Sequence, residues 1–359
     1  MPRSRLVALL ATLVLTGSAC TSAASPSPTP VATTAASSAA ASASAAPATV
    51  GPPEATTLKV GVDGLPDFTN EGAYKWAADL KAQYGVDATI VDLGSTAGPF
   101  RAMVAGDVDM VIGQVEPGVS LRMQTGTDIK MIAAADTSSD YILLSTPNIA
   151  TPADLIGKKV GTQGPGSASE TLTKAALKHA GLDVTKINFV QIGGTGARIA
   201  ALVSGQIQAG AAHAADAYDA VTKSGLKALL PMATVLPTYE YHVLWTSQKW
   251  LDAHPNLAQI AVNLFVAATR WEADNKDAYI ALSNQNVTGL TADDRSRSYD
   301  LFTQVKYFAV NGGMDAASIA STVQVAQETG GLPATGVPDA STWTDPVYVN
   351  NYLAANGTR

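Results

Sequence analysis

Between Leu58 and Ser247 the sequence switches repeatedly between short runs of strand-forming residues and longer segments with helical spacing. LKVGVD (58–63) reads as a strand, EGAYKWAADLKAQYG (71–85) as a helix and VDATIVDL (86–93) as a second strand. The alternation continues through VDMVIG (108–113), IKMIAAA (129–135), DYILLST (140–146), NFVQIG (188–193), QAGAAH (208–213), LKALLP (226–231) and YEYHVLWTS (239–247). Parallel neighbours need a crossover of a dozen or more residues, usually a helix. This alternation therefore predicts an α/β chain with mostly parallel sheets flanked by helices.

One unit occurs twice. FRAMVAGDVDMVIG (100–113) and IAALVSGQIQAGAA (199–212) each read as helix, glycine stop and strand, with Gly106 and Gly205 at the left-handed position that ends the helix. The turns before them, LGSTAG (93–98) and IGGTGA (192–197), are alike as well. Two similar αβ units about a hundred residues apart imply two lobes of similar construction.

GTQGPGSASE (161–170) joins a strand to the amphipathic TLTKAALKHAGL. Its glycines match a phosphate loop, but Ser167 stands where that loop needs Lys, and Ser169 where a dinucleotide fingerprint needs its third glycine. Ser167 and Glu170 instead fit a capping box. The remaining first-turn N–H groups can face a small polar or anionic ligand, with Gly164 and Gly166 allowing close backbone approach.

The N-terminal residues have a different composition. Arg3 and Arg5 precede an apolar run from Leu6 to Leu15, and small residues then lead to Cys20, the chain's one cysteine. This is signal-peptide composition, too short for a stable span. GSAC resembles the lipobox of bacterial lipoproteins, with Gly17 where Leu is usual, which implies cleavage after residue 19 and lipid on Cys20. Residues 20–56, almost entirely Ala, Ser, Thr and Pro, read as a disordered tether. The chain has 23 basic and 30 acidic residues, a formal net charge of −7, and no basic cluster that marks a nucleic-acid surface. LAQIAVNLFVAATRW (257–271) is broken by Gln259 and Asn263, which fits a buried helix better than a membrane span.

The order of elements, together with GDVDMVIG, TPADLIGKKVGTQGPGS, the run from Gly193 to Ile207 and SQKWLDAHPNLAQIAVNLFVAATRWEADN, resembles ABC-importer binding proteins of the nitrate, sulfonate, taurine and thiamine-pyrimidine group. The resemblance runs from Leu58 to about Leu290. It implies a two-lobed periplasmic-binding-protein fold of type II with ligand in the cleft and a hinge of two crossings, near Ser145–Pro147 and Leu236–Tyr239. Lobe 1 is then 57–145 plus 239–359, and lobe 2 is 146–238. The implied partners are a small-molecule ligand, an ABC permease and, through the lipid, the extracytoplasmic face of the cell membrane, for a monomer without cofactor. Two other readings stay open: an enzyme like the pyrimidine-precursor synthases, or a binding lipoprotein that serves a sensor.

Ligands in open α/β lobes sit beyond the carboxyl ends of strands. That rule selects Asp67, Phe68, Ser95, Thr96, Gln114, Glu116 and Ser138 from the first lobe, Gly166, Ser167, Thr195 and His213 from the second, and Tyr241 near the return crossing. Matching family positions imply Ser95, Thr96, Gln114, Ser167 and His213. His213 stands where sulfonate-type relatives often have Trp; it can stack on a ligand, donate when protonated, or be structural. Arg101 and Arg198 lie about one turn into helices. No metal spacing links the histidines at 179, 213, 242 and 254, and Ser167 is not in a G-x-S-x-G turn, so catalytic and metal sites are not expected.

Cys20→Ser is expected to release the domain from membranes or to leave its precursor uncleaved, because one site controls both cleavage and anchoring. Fractionation and mass measurement read the result. A mature-sized variant that stays on the membrane contradicts the lipid assignment.

Overall fold

The computed structural model describes residues 50–64, 67–236 and 238–359; Cys20, the leader and the tether to residue 49 lie outside the described residues. Among the described residues, ten strands form two five-stranded sheets. The chain lays down β1 (Thr57–Val62), β2 (Asp87–Asp92), β3 (Met110–Gly113) and β4 (Ile129–Ala134), crosses over, and forms β5 (Ile142–Ser145), β6 (Lys159–Thr162), β7 (Asn188–Gln191), β8 (Ala209–Ala212) and β9 (Lys227–Pro231). It then returns as β10 (Val243–Ser247). The sheet orders are β2-β1-β3-β10-β4 and β7-β6-β8-β5-β9. The two lobes thus share one topology, with the repeated strands β3 and β8 at both centres.

The fold class expected from the sequence is present, with one strand in each sheet opposed to the rest. β10 is antiparallel to β3 and β4, and β5 is antiparallel to β8 and β9. Both strands enter their sheet directly from the other lobe rather than through a helical crossover, so nothing forces them parallel.

Helices α1 (Glu71–Tyr84), α2 (Gly98–Ala105) and α3 (Val115–Thr125) flank the first sheet, and α4 (Ala168–His179), α5 (Thr195–Val203) and α6 (Ala214–Ser224) the second. After β10 come α7 (Gln248–Ala253), α8 (Pro255–Asp274), α9 (Lys276–Asn286), α10 (Ala292–Gln304), α11 (Ala316–Thr329) and α12 (Val347–Asn356). One face of the first sheet packs with α1 and α8 around Trp76, Leu58 and Phe265. The other face buries Phe100, Trp245 and Trp343. Gly118 of α3 is needed there, since a Cβ would stand 2.6 Å from the Trp245 ring. No helix among the described residues is long and apolar enough to cross a membrane.

Three expected boundaries are corrected. Ile142–Ser145 pairs in the second sheet, so the first crossing is 135–141 rather than Ser145–Pro147. DYILLST follows IKMIAAA with no helix between, which hid the change of sheet. The tail is not confined to lobe 1: α10 packs on α6 and α11 on α4, and Leu301 and Val325 enter the two cores of the second sheet. The end of the tether is also bound. The Glu54 carboxylate accepts the Asn256 and Leu257 N–H groups of the first turn of α8 at 2.9 Å, where the helix dipole favours an anion.

The crossings are tied by Asp136, which is fully buried. Its carboxylate accepts the backbone N–H groups of Tyr241 (2.6 Å) and His242 (3.1 Å), and pairs with His242 Nδ1 at 2.6 Å. Asp136→Ala strands these donors in the interior and is expected to cost about 3–5 kcal/mol. Urea unfolding with an unchanged m-value checks it; a loss below about 1 kcal/mol, the worth of one ordinary hydrogen bond, contradicts the tie.

Candidate ligand-binding cleft

The carboxyl ends of the strands in both sheets face a cleft made of two adjoining basins that share Gly94, Gln163 and Gly194. The inner basin, about 350 Å³, is lined by Asp63, which follows β1, by Asp92 at the end of β2, and by Asp67. Across it stand Gln163, which follows β6, Thr195 and Arg198 of α5, and His213, which follows β8. Tyr141 and Tyr241 from the two crossings complete it, their rings edge to face at 6.1 Å.

His213 is the central side chain. Its Nδ1 is 3.0 Å from both oxygens of Asp140, which also accepts the Ala214 N–H, and its Nε2 is 3.8 Å from Asp67 across the cleft. Tyr141 lies over the imidazole at 4.3 Å. Burial alone disfavours a charged ring here, but the carboxylates of Asp140 and Asp67 outweigh it and hold His213 well above its ordinary pKa. Burial, reinforced by the Asp67 charge, pushes Asp216 up to about 6. Asp63 is raised by burial, and His242, Gln114 and Thr96 beside it oppose the rise.

Arg198 is 1 % exposed. Its Nε donates to the Ala211 carbonyl, one terminal nitrogen to Gly193 O, and the other to Thr195 Oγ1 at 3.0 Å. The guanidinium thus holds the 193–195 turn against β8. No carboxylate of the described residues pairs with it.

The outer basin, about 540 Å³, is bounded by Ser95, Thr96 and Ala97 before α2, Glu116 and Ser120 of α3, Gly164–Ser167 before α4, and Gly193–Gly194 before α5. Several helix N-termini therefore converge on it. The expected capping box forms with a shift. Ser167 Oγ accepts the Glu170 N–H at 3.4 Å and donates to Gly164 O at 2.7 Å, while the Glu170 carboxylate takes the Gly166 N–H at 2.8 Å. Gly166 has φ of 73°, a left-handed geometry that a β-carbon strains. Glu116 accepts from the Tyr239 hydroxyl at 2.6 Å, and its other oxygen has no partner among the described residues.

Of the residues selected from the sequence, Asp67, Thr195, His213 and Tyr241 line the inner basin, and Ser95, Thr96, Glu116, Gly166 and Ser167 the outer one. Gln114 is buried beside Asp63 with its Oε1 unpartnered, and lines neither basin. Ser138 lies half-buried on the first crossing, outside both linings. Phe68 is corrected: its ring packs between Tyr279 and Phe302 in an aromatic core, and Tyr279 donates to its carbonyl. Asp67 caps the short turn at 68–70, which directs Phe68 inward. Asp63, Asp92, Tyr141 and Gln163 were missed. Asp63 and Asp92 each end a strand, a signal available in the sequence but hidden by the frequency of acidic residues in turns.

A His whose folded pKa is raised contributes stability that is fully present below the unfolded value of about 6.5 and lost as pH rises through the folded value. The stability difference between wild type and His213→Gln is therefore expected to be largest below that pH and to shrink in alkaline buffer. Denaturant titrations across pH read this. A difference that does not change with pH means a neutral ring.

The NMT1/THI5-like family model matches residues 82–277. Comparison with curated proteins gives no match. Among solved structures, the periplasmic nitrate-binding protein of Synechocystis PCC 6803 is similar at 14% identity, with a TM-score of 0.68 over 85% of this chain and 90% of that one. A putative periplasmic sulfonate-binding protein of an ABC transporter from Methylobacillus flagellatus is 19% identical, with a TM-score of 0.60 over 83% and 94%. A desulfurization enzyme is 16% identical, with a TM-score of 0.57 over 84% and 99%. These likenesses agree with the two-sheet topology and establish a periplasmic-binding-protein fold. With the family model spanning more than half of the sequence, the chain belongs to the NMT1/THI5-like family.

Proposed function

We propose that the protein is an extracytoplasmic solute-binding component of an ABC import system, held to the membrane by lipid on Cys20, which captures a small organic or anionic solute by cleft closure and delivers it to a permease. The observation that carries this reading is the cleft itself. Both basins take walls from the two sheets, so a solute in either one bridges the lobes. A bridging ligand favours the closed arrangement because those contacts exist together only when the lobes meet. The two crossings are the segments that absorb the motion, and α10 and α11 must part from α6 and α4 or slide on them. An enzymatic reading has less support. Ser167 Oγ bonds Gly164 O and Ser169 Oγ rather than a histidine, and the chain's one cysteine is Cys20.

Small molecules released from the purified protein by denaturation, then added back to stripped protein, are expected to reduce its radius of gyration. They should also stabilise it by RT ln(1 + [L]/Kd), about 2.7 kcal/mol at a hundredfold excess over Kd. Gly166→Val, strained at a left-handed position, is expected to weaken both effects while leaving the lobes folded. Solution scattering and thermal unfolding measure them. Absence of compaction with every released fraction contradicts capture by closure, and turnover of a bound solute favours the enzyme.

A further inference from the structure

Resting on the reading of the cleft as a solute site, we propose that its solute carries a cationic nitrogen, protonated or quaternary, which sits in the inner basin against Asp63, Asp67 and Asp92. The argument is a charge balance among named groups. Asp63 and Asp92 line the basin and belong to no ion pair among the described residues. Asp67 shares the single imidazole of His213 with Asp140. Asp63, Asp67 and Asp92 of the lining, with Asp140 behind it, are thus set against the imidazole of His213 and the guanidinium of Arg198, an excess of acid. The other histidine of the basin, His242, is taken by buried Asp136.

Arg198 offsets one of these charges from the opposite wall, where no carboxylate of the described residues pairs with it. Three of its five N–H donors are turned to Ala211 O, Gly193 O and Thr195 Oγ1, all in the second lobe. It leaves the basin polarised, with anionic groups on the first-lobe side and donors on the second. An anion drawn into the inner basin meets half-buried Asp63 and Asp67 in a partly desolvated space, where like charges repel more strongly than in water.

The acidic side chains are also aimed. Asp92 Oδ1 accepts the N–H groups of Gly64 (3.0 Å) and Gly94 (2.9 Å), which leaves Oδ2 for a ligand. Asp67 Oδ1 accepts the N–H and hydroxyl of Thr69, both at 2.8 Å, and its Oδ2 turns toward His213. One oxygen of each is fixed by the fold, and the other accepts no hydrogen bond among the described residues. His213, about nine-tenths buried, lines the same space with an Nε2 that has no hydrogen-bond partner among the described residues, a donor for an acceptor group of the same solute rather than for its cation. Tyr141 and Tyr241 supply aromatic faces, which attract organic cations. The outer basin, with its helix N-termini and hydroxyls, suits an anionic or neutral remainder of the same solute. A simple organic cation and a zwitterion therefore share the group that matters.

Calorimetry on the stripped chain with putrescine and tetramethylammonium as cations, glycine betaine as zwitterion, and methanesulfonate and nitrate as anions tests this. At least one cationic or zwitterionic probe is expected to bind and compact the protein. Asp67→Asn and Asp92→Asn keep the oxygen that caps the local turn. Each is expected to weaken that probe about tenfold to a hundredfold, the loss of one charge-assisted contact, with thermal unfolding of the free protein little changed. Binding restricted to methanesulfonate or nitrate, unaffected or tightened by Asp67→Asn, overturns the cation while leaving solute capture intact. No binding of putrescine, tetramethylammonium or glycine betaine also overturns it. Capture itself fails separately, when no solute released from the native protein compacts it.

Discussion

The fold depends on a buried carboxylate at the place where the chain changes lobes twice. Asp136 sits just after β4 and binds two successive backbone N–H groups and the imidazole of the returning strand. Ala135 N–H donates to His242 O, and Tyr239 N–H to Thr137 O, so the two crossings form a short paired ribbon. A carboxylate without water is tolerable when its lone pairs are filled by donors and a basic partner. The tie fixes where Tyr141 and Tyr241 emerge, and these side chains form the back of the inner basin. The paired crossings and the basin are therefore one structure.

A second acid lies beside the first. Glu240 is fully buried, neither carboxylate oxygen has a partner among the described residues, and burial with the Asp136 charge raises its pKa to about 9. It is thus neutral near pH 7, which keeps the crossing from holding two adjacent negative charges. Its N–H donates to Thr322 of α11, and Ser321 of the same helix donates to Thr238 O. The tail helices thus touch the hinge as well as both lobes. These bonds join α11 to the return crossing, so the two cannot shift relative to each other without breaking them.

The alternation of elements, the duplicated αβ unit and its glycine stops were legible because they are local: each depends on residues within one turn or one strand. Gly106 ends α2 at φ 81°, and Gly205, next to the end of α5, has φ 74°. His213 and Asp67 could be selected because ligand groups gather at strand ends. The direction of β5 and β10 was not legible, since a strand that enters from another lobe has the same composition as one that follows a helix. Phe68 was misread for a related reason. A phenylalanine after a strand suits either a ligand wall or a core, and the packing of α9 and α10, some two hundred residues later, decides between them. The pairing of His213 with Asp140 lies in the same class, because no local pattern links residues 73 apart.

The duplication also explains how one cleft becomes polarised. The ends of β1 and β6 are equivalent in the two sheet orders, as are those of β2 and β7, and of β3 and β8. Asp63 in the first lobe corresponds to Gln163 in the second, Asp92 to Gln191, and Gln114 to His213. At two of these three positions an acid corresponds to an amide one methylene longer, and at the third an amide corresponds to an imidazole. The backbone that presents them is shared, so the difference in charge between the walls comes from single side chains rather than from architecture. On a scaffold of this kind the charge of a cleft wall can change by exchange of amides and acids at strand ends, without rebuilding either sheet. In this chain Asp63 and Asp92 stand on the lobe that also holds Asp67, and the imidazole of His213 stands on the other.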